Sequence, residues 1–136
     1  METEIREQCW VRASNLLSNL GALNICTYHL IEVFKDEKVS EVYLKPLTHT
    51  NTLVVEIYEK LYAFRQQLNN EASIDEEQFK CTYELASTVF MTGIKDSIDA
   101  LKDLLAAFPH LQNIKINNLM NYLQVAQKLR VKPLPI

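Results

Sequence analysis

Cys26 and His29 are the residues whose types and spacing come closest to a metal site, because they lie one helical turn apart. A structural zinc ion needs four such ligands, and no second pair of Cys or His has a matching spacing. The other two histidines, His49 and His110, are distant in the sequence, and the paired Glu-x-x-His motif of di-iron bundles is absent. We therefore predict no metal and no cofactor, and a buried thiol at Cys26.

The sequence also lacks the motifs of common catalytic sites. It contains no G-x-S-x-G nucleophile motif, and its two glycines, Gly21 and Gly93, are too few for a phosphate-binding loop. Its carboxylates fall beside Lys or Arg at helical spacing, as Glu56 does with Lys60, which is typical of solvated helix surfaces. We therefore predict that the protein is not an enzyme.

Charge is distributed unevenly along the chain. All seventeen Asp and Glu residues lie at or before Asp103, so the first 103 residues carry a net charge of −7 and the remainder carries +4, within a total of −3. The four cations of the acid-free end are Lys115, Lys128, Arg130 and Lys132. They form a candidate phosphate-binding strip.

The acid-free end also contains a stripe of amide side chains. In the predicted fourth helix these polar residues recur every three or four positions, so they share one face. Ordinary solvated helix faces carry Glu and Lys, whereas this stripe is uncharged until its end and is flanked by apolar residues such as Ile114 and Tyr122. The candidate partner-binding residues are Asn113, Asn117, Met120, Asn121, Gln124 and Lys128.

Three interpretations of this end of the chain are open. The basic residues can simply complement the C-terminal dipole of their own helix and the acidic remainder of the bundle. A charge-poor stripe with Met and aromatic neighbours is also typical of the centre of a protein interface. A strip of four cations can instead bind the phosphates of a nucleic acid.

From these alternatives we predict a non-enzymatic helical interaction module that acts as an adaptor, scaffold or subunit of a complex. Its expected partner is another protein chain, and the basic end favours an acidic one. A second copy of this chain, giving a homo-oligomer, is compatible with the same face. The alternative function is nucleic-acid association through the four cations. No apolar run approaches the ~20 residues of a membrane-spanning helix, so no membrane partner is expected.

The elements that must position these residues are helices, because the sequence has few helix breakers. It has two Gly and four Pro, and it lacks the turn signals that a β protein needs about every 8 to 12 residues. We predict an all-α, up-and-down bundle of four long helices. A fifth helix results if the first one breaks at Gly21, although the apolar period passes through that residue without losing phase.

Local signals set the expected helix bounds, which are about 3–36, 48 or 50 to 69, 73–108 and 112–131. Residues 37–47 are a predicted connector, because Pro46 disfavours helix at the residue before it. Ser73 and Glu76 have the spacing of a capping box, which marks the start of the third helix. Gly93, in the middle of that helix, indicates either a close neighbour or a bend.

The sequence predicts one domain over residues 1–132, followed at 133–136 by an extended tail or the start of a linker, since each proline restrains the residue before it. The three cysteines are odd in number and lack CxxC spacing, and the N-terminal residues lack the organisation of a signal peptide. We therefore predict a reducing, intracellular location in the cytoplasm or nucleus.

Overall fold

The first helix, α1, spans Thr3–Asp36 without a break in a computed structural model, which describes residues 1–70 and 73–136. Its buried residues recur at three- and four-residue spacing from Cys9 to Phe34. A Cβ added at Gly21 would meet nothing nearer than Tyr58, at 3.9 Å, so no close packing disturbs the helix there. The unbroken form is confirmed, and the five-helix alternative is wrong.

Helix α2 spans Glu41–Asn69 and begins well before its predicted start. It includes Pro46, which has no N–H to donate to the carbonyl of Val42. Val42 and Pro46 are both exposed, so water can satisfy that carbonyl. Leu44 and Leu47 are buried one turn apart and hold these first turns against the core. The prediction of an irregular connector over 37–47 is therefore wrong beyond Ser40.

Helix α3 spans Glu76–Ala107. Its N-cap is Asp75, whose carboxylate accepts a hydrogen bond from the backbone N–H of Gln78 at 3.1 Å. The predicted capping box at Ser73 is wrong, because Glu76 is the first helical residue rather than the third. The close approach expected at Gly93 is confirmed: an added Cβ would lie 3.0 Å from a methyl carbon of Leu23 on α1.

Helix α4 spans Ile114–Ala126 and is short, with 13 residues. A 3₁₀ turn at Pro109–Leu111 separates it from α3, and Asn113 caps it by accepting the N–H of Ile116 at 2.9 Å. The predicted extension to Val131 is wrong, because a turn follows Ala126.

Residues 129–136, the C-terminal strap, form no helix and lie against the bundle. The hydroxyl of Tyr83 donates to the carbonyl of Lys132, and the guanidinium of Arg12 donates to the carbonyl of Pro133. Leu134 is buried in the core. The strap therefore continues the course of α4 along α1 and α3 and fills the place that a longer helix would occupy.

The helices pack up and down around one apolar core, as predicted. Helix α1 contacts the other three helices, α2 also packs on α3, and α3 also packs on α4. Helices α2 and α4 lie at opposite corners and share no contact in the described chain. An antiparallel α1–α2 pair is shown by the hydrogen bonds from Arg6 to the carbonyl of Leu68 and from Asn51 to Asn24.

Candidate docking face on the fourth helix

Helix α4 presents an inner and an outer face, and the inner face is apolar. Ile116, Leu123 and Ala126 are buried, while Leu119, Met120 and Tyr122 are partly buried against the core. The remaining seven of its thirteen residues are exposed. The helix thus lies on the surface of the bundle with just over half of its residues facing outward.

The outermost line of α4 combines amides with aliphatic side chains. Successive helical residues turn by about 100°, so residues 114, 118, 121 and 125 point in nearly the same direction, opposite the buried Ile116. Ile114 is 79% exposed and Val125 is 57% exposed, and Asn118 and Asn121 lie between them. We call this line and its flanking residues Asn117 and Gln124 the α4 face. It carries no charged side chain.

Most of the predicted partner-binding residues lie on or beside the α4 face. Asn117, Asn121 and Gln124 are exposed, and Lys128 is exposed in the turn after the helix. Asn113 is also exposed, but its side chain caps the helix. Met120 is partly buried against the core, so only part of its side chain is available to a partner.

Sequence reasoning missed the most exposed residues of the surface. Apart from Asn121, the predicted stripe lies along one flank of the helix, whereas Asn118 and Val125 lie on its outermost line. Projecting the sequence at about 100° per residue from the inward-facing Ile116 would have found both. Ile114 was noted only as a flanking residue, yet it is the most exposed large apolar side chain of the described chain.

An apolar region of α3 extends the α4 face at its C-terminal end. Leu129 is 42% exposed, and Met91 of α3 is 47% exposed. Both line a shallow depression of about 180 Å³ together with Ala126. Lys95 is the one charged residue at its edge. The charge-poor surface therefore continues from α4 onto its neighbour.

Buried, uncharged groups attach the inner face of α4 to α1. The thiol of Cys26 lies 3.9 Å from the carbonyl oxygen of Leu119, to which it donates. Burial raises the pKa of Cys26 to about 12. The pKa of Tyr122 is also raised to about 12, mainly by burial and to a smaller extent by the nearby Cys26. Both groups are therefore neutral at physiological pH, and the joint combines apolar packing with the uncharged hydrogen bond of the Cys26 thiol.

Among the described residues, no third ligand completes a metal site with the Cys26 and His29 pair. Cys26 is buried and His29 is exposed, with its ring 6.2 Å from that of Tyr28. Across residues 1–70 and 73–136, no three His, Cys, Asp or Glu side chains lie close enough together to hold a metal ion.

The four predicted phosphate-binding cations lie on α4, in the turn after it and on the strap. Lys115 lies in the first turn of α4 and Lys128 lies just beyond its last turn. Arg130 and Lys132 belong to the strap, where they line a cavity with Arg12 of α1. Arg12 is not predictable as a neighbour of these cations from sequence alone, because it is more than 100 residues away from them in the chain.

The comparisons with known proteins give no identification: no family model, no curated protein and no solved structure matches this chain. In the part of the chain that the structure describes, no helix has the combined length and apolar character needed to cross a membrane.

Proposed function

We propose that this protein is a non-enzymatic interaction module, an adaptor, scaffold or subunit that binds another protein chain through the α4 face. The observation that carries the proposal is an exposed helix face with four amides, two aliphatic side chains and no charge. Interface centres are depleted in charged residues in the same way.

The composition of the face matches the energetics of binding. Ile114 and Val125 lose unfavourable contact with water when a partner covers them. The amides between them can exchange water for partner hydrogen bonds, and burying an amide costs much less than burying Glu or Lys. A face of this kind is stable in water and still favours association.

The ends of the face indicate the charge of the partner. Lys115 is exposed near its start, and Lys128 is exposed near its end. We propose a partner with acidic groups at these borders, since such groups would speed the encounter and fix its orientation. A second copy of this chain meets that description, because its first 103 residues carry a net charge of −7. Light scattering over a concentration range distinguishes self-association from binding of a different chain.

Affinity capture with charged variants tests the proposal. The double variant N117E/N121E should bind its partner about tenfold more weakly or worse, because two carboxylates would be desolvated in the interface. The control T48E/T52E adds the same charges at the same spacing on an exposed face of α2, which does not touch α4. Equal capture by N117E/N121E and the wild type would show that the partner does not bind through the α4 face.

Nucleic-acid association is the second candidate, and the exposed Lys115, Lys128, Arg130 and Lys132 favour it. It requires binding that falls steeply with salt, because cations displace counterions from phosphates. A band-shift assay at low and moderate salt tests this, and binding that does not change with salt would exclude it.

We also propose an intracellular, reducing location in the cytoplasm or nucleus. All three cysteines are free thiols, and Cys81 is exposed. Free exposed thiols are typical of proteins from reducing compartments.

A further inference from the structure

A cavity between α1 and the C-terminal strap gathers three cations. Arg12, Arg130 and Lys132 line it, together with the polar residues Asn15, Ser18 and Asn19. Its volume is about 400 Å³. None of its lining residues in the described chain is Asp or Glu. The cavity is therefore basic on a protein whose net charge is −3.

The fold brings these three cations to the lining of one cavity. Hydrogen bonds from Tyr83 and Arg12 to strap carbonyls hold the strap, and with it Arg130 and Lys132, beside α1. Within the described residues, no carboxylate lies within 4.0 Å of any of the three cations. Like charges repel more strongly in a partly enclosed site than in open water. A bound anion would remove this repulsion.

We propose that this cavity binds a phosphate monoester. Arginine presents several N–H donors in a planar fork that matches phosphate oxygens, and two of the three cations are arginines. Asn15, Ser18 and Asn19 add neutral donors for the remaining oxygens or for the group attached to the phosphate. The volume lies near the lower end of the range for small-molecule sites, so it fits a compact phosphorylated group rather than a length of nucleic acid.

The site is independent of the α4 face. It is lined by α1, Tyr83 of α3 and the strap, and none of its residues belongs to α4. Lys115 and Lys128 do not line it. N117E/N121E should therefore leave phosphate binding intact, and loss of phosphate binding should leave protein capture through α4 intact.

Calorimetric titration of the full chain tests the proposal with two soluble phosphate monoesters, glycerol 3-phosphate and glucose 6-phosphate. Each should bind at one site. The variant R130Q/K132Q should weaken binding at least about tenfold, since it removes two charge-assisted contacts. The control K115Q/K128Q removes the same charge outside the cavity and should change the affinity less than about twofold.

A second substitution, N19D, tests the site independently in case R130Q/K132Q does not fold. N19D places a carboxylate among the three cations and should abolish binding, whereas N118D on α4 adds the same charge and should not. Thermal unfolding of each variant checks that it folds. Equal losses of binding in R130Q/K132Q and K115Q/K128Q would overturn the proposal.

A lipid headgroup could supply the same phosphate chemistry, so vesicle flotation forms a second arm. Phosphatidylcholine vesicles with and without phosphatidic acid are compared, using the same variants. Flotation that requires phosphatidic acid and is lost in R130Q/K132Q but kept in K115Q/K128Q supports the site with a lipid as the source. Binding of the soluble probes alone supports it with a soluble molecule as the source. Failure in both arms refutes it.

Discussion

The two glycines show how differently the same residue type can be used. Gly93 faces α1 and α2, and a Cβ there would lie 3.0 Å from Leu23 and 3.1 Å from Thr50. Leu23 and Thr50 are both buried, so neither has open space into which to move. Gly21 has no such neighbour. The sequence alone could indicate a close neighbour at Gly93, but only the packing shows that Gly21 has no close neighbour.

Alanine at each glycine should therefore change stability in opposite directions. G93A should lower the free energy of unfolding by about 1 to 2 kcal/mol, because overpacking outweighs the gain in helix propensity. G21A should raise it by up to ~1 kcal/mol, because an interior helix gains propensity without a clash. Urea unfolding of both variants measures the difference. Equal stabilisation by the two would show that the Gly93 contact is easily relieved.

At the scale of elements, the start of α3 shows how closely spaced signals can compete. Ser73 and Asp75 are both good N-cap residues, and Ser73 also has Glu three positions later. The structure uses Asp75, whose carboxylate accepts the N–H of Gln78, and residues 73–75 are not helical. The cap is thus the second of two candidates that local rules rank the other way.

Substitution of the two candidate caps distinguishes them. D75A should lower the free energy of unfolding by about 1 kcal/mol, because the N–H of Gln78 loses its acceptor. S73A should change it by less than ~0.5 kcal/mol, since that residue is exposed and lies outside the helix. If S73A lowered the free energy of unfolding in urea more than D75A does, Ser73 would be the N-cap, as the capping box predicts.

The predicted start of α2 and the predicted end of α4 are wrong for the same reason. In both places, tertiary contacts override local sequence preferences. Because Pro46 disfavours helix at the residue before it, the predicted connector extended to residue 47. Burial of Leu44 and Leu47 instead makes helix favourable from Glu41. A continuing apolar pattern extended the predicted α4, but burial of Leu134 favours an extended strap instead. Neither contact is visible from a local window of sequence.

At the scale of the whole molecule, the architecture follows from the apolar periodicity, which predicted four helices and nearly all of their inward faces. The amide stripe of α4 could be predicted in the same way, because it depends on spacing within one element. The basic cavity could not, because Arg12 and the strap meet only through the packing of distant parts of the chain. Sites within an element are thus predictable here, and sites between elements are not.

Alkaline pH should destabilise the fold through the joint between α1 and α4. The pKa of Cys26 is raised from 9.0 to about 12, so the folded chain holds a proton that the unfolded chain releases. The pKa of Tyr122 is likewise raised, from 10.0 to about 12. Their contribution is fully present below pH 9, and it falls as the pH rises from 9 towards 12.

Urea unfolding between pH 8 and pH 11 measures this loss. The double variant C26A/Y122F should show a flatter dependence of stability on pH than the wild type, because neither replacement can ionise. The control C81A removes an exposed thiol and should keep the original slope. An unchanged slope in C26A/Y122F would mean that other groups control alkaline unfolding.

The central claim is that the α4 face contacts another protein, and site-specific photo-crosslinking tests it most directly. Asn118 lies on the outermost line of the face, and replacing it with p-benzoylphenylalanine puts the reactive group where a partner should sit. Thr88, exposed on α3, takes the same replacement as a control. We expect a discrete protein adduct in cells from position 118 and none from position 88. Adducts at position 88 with none at position 118 would contradict the account.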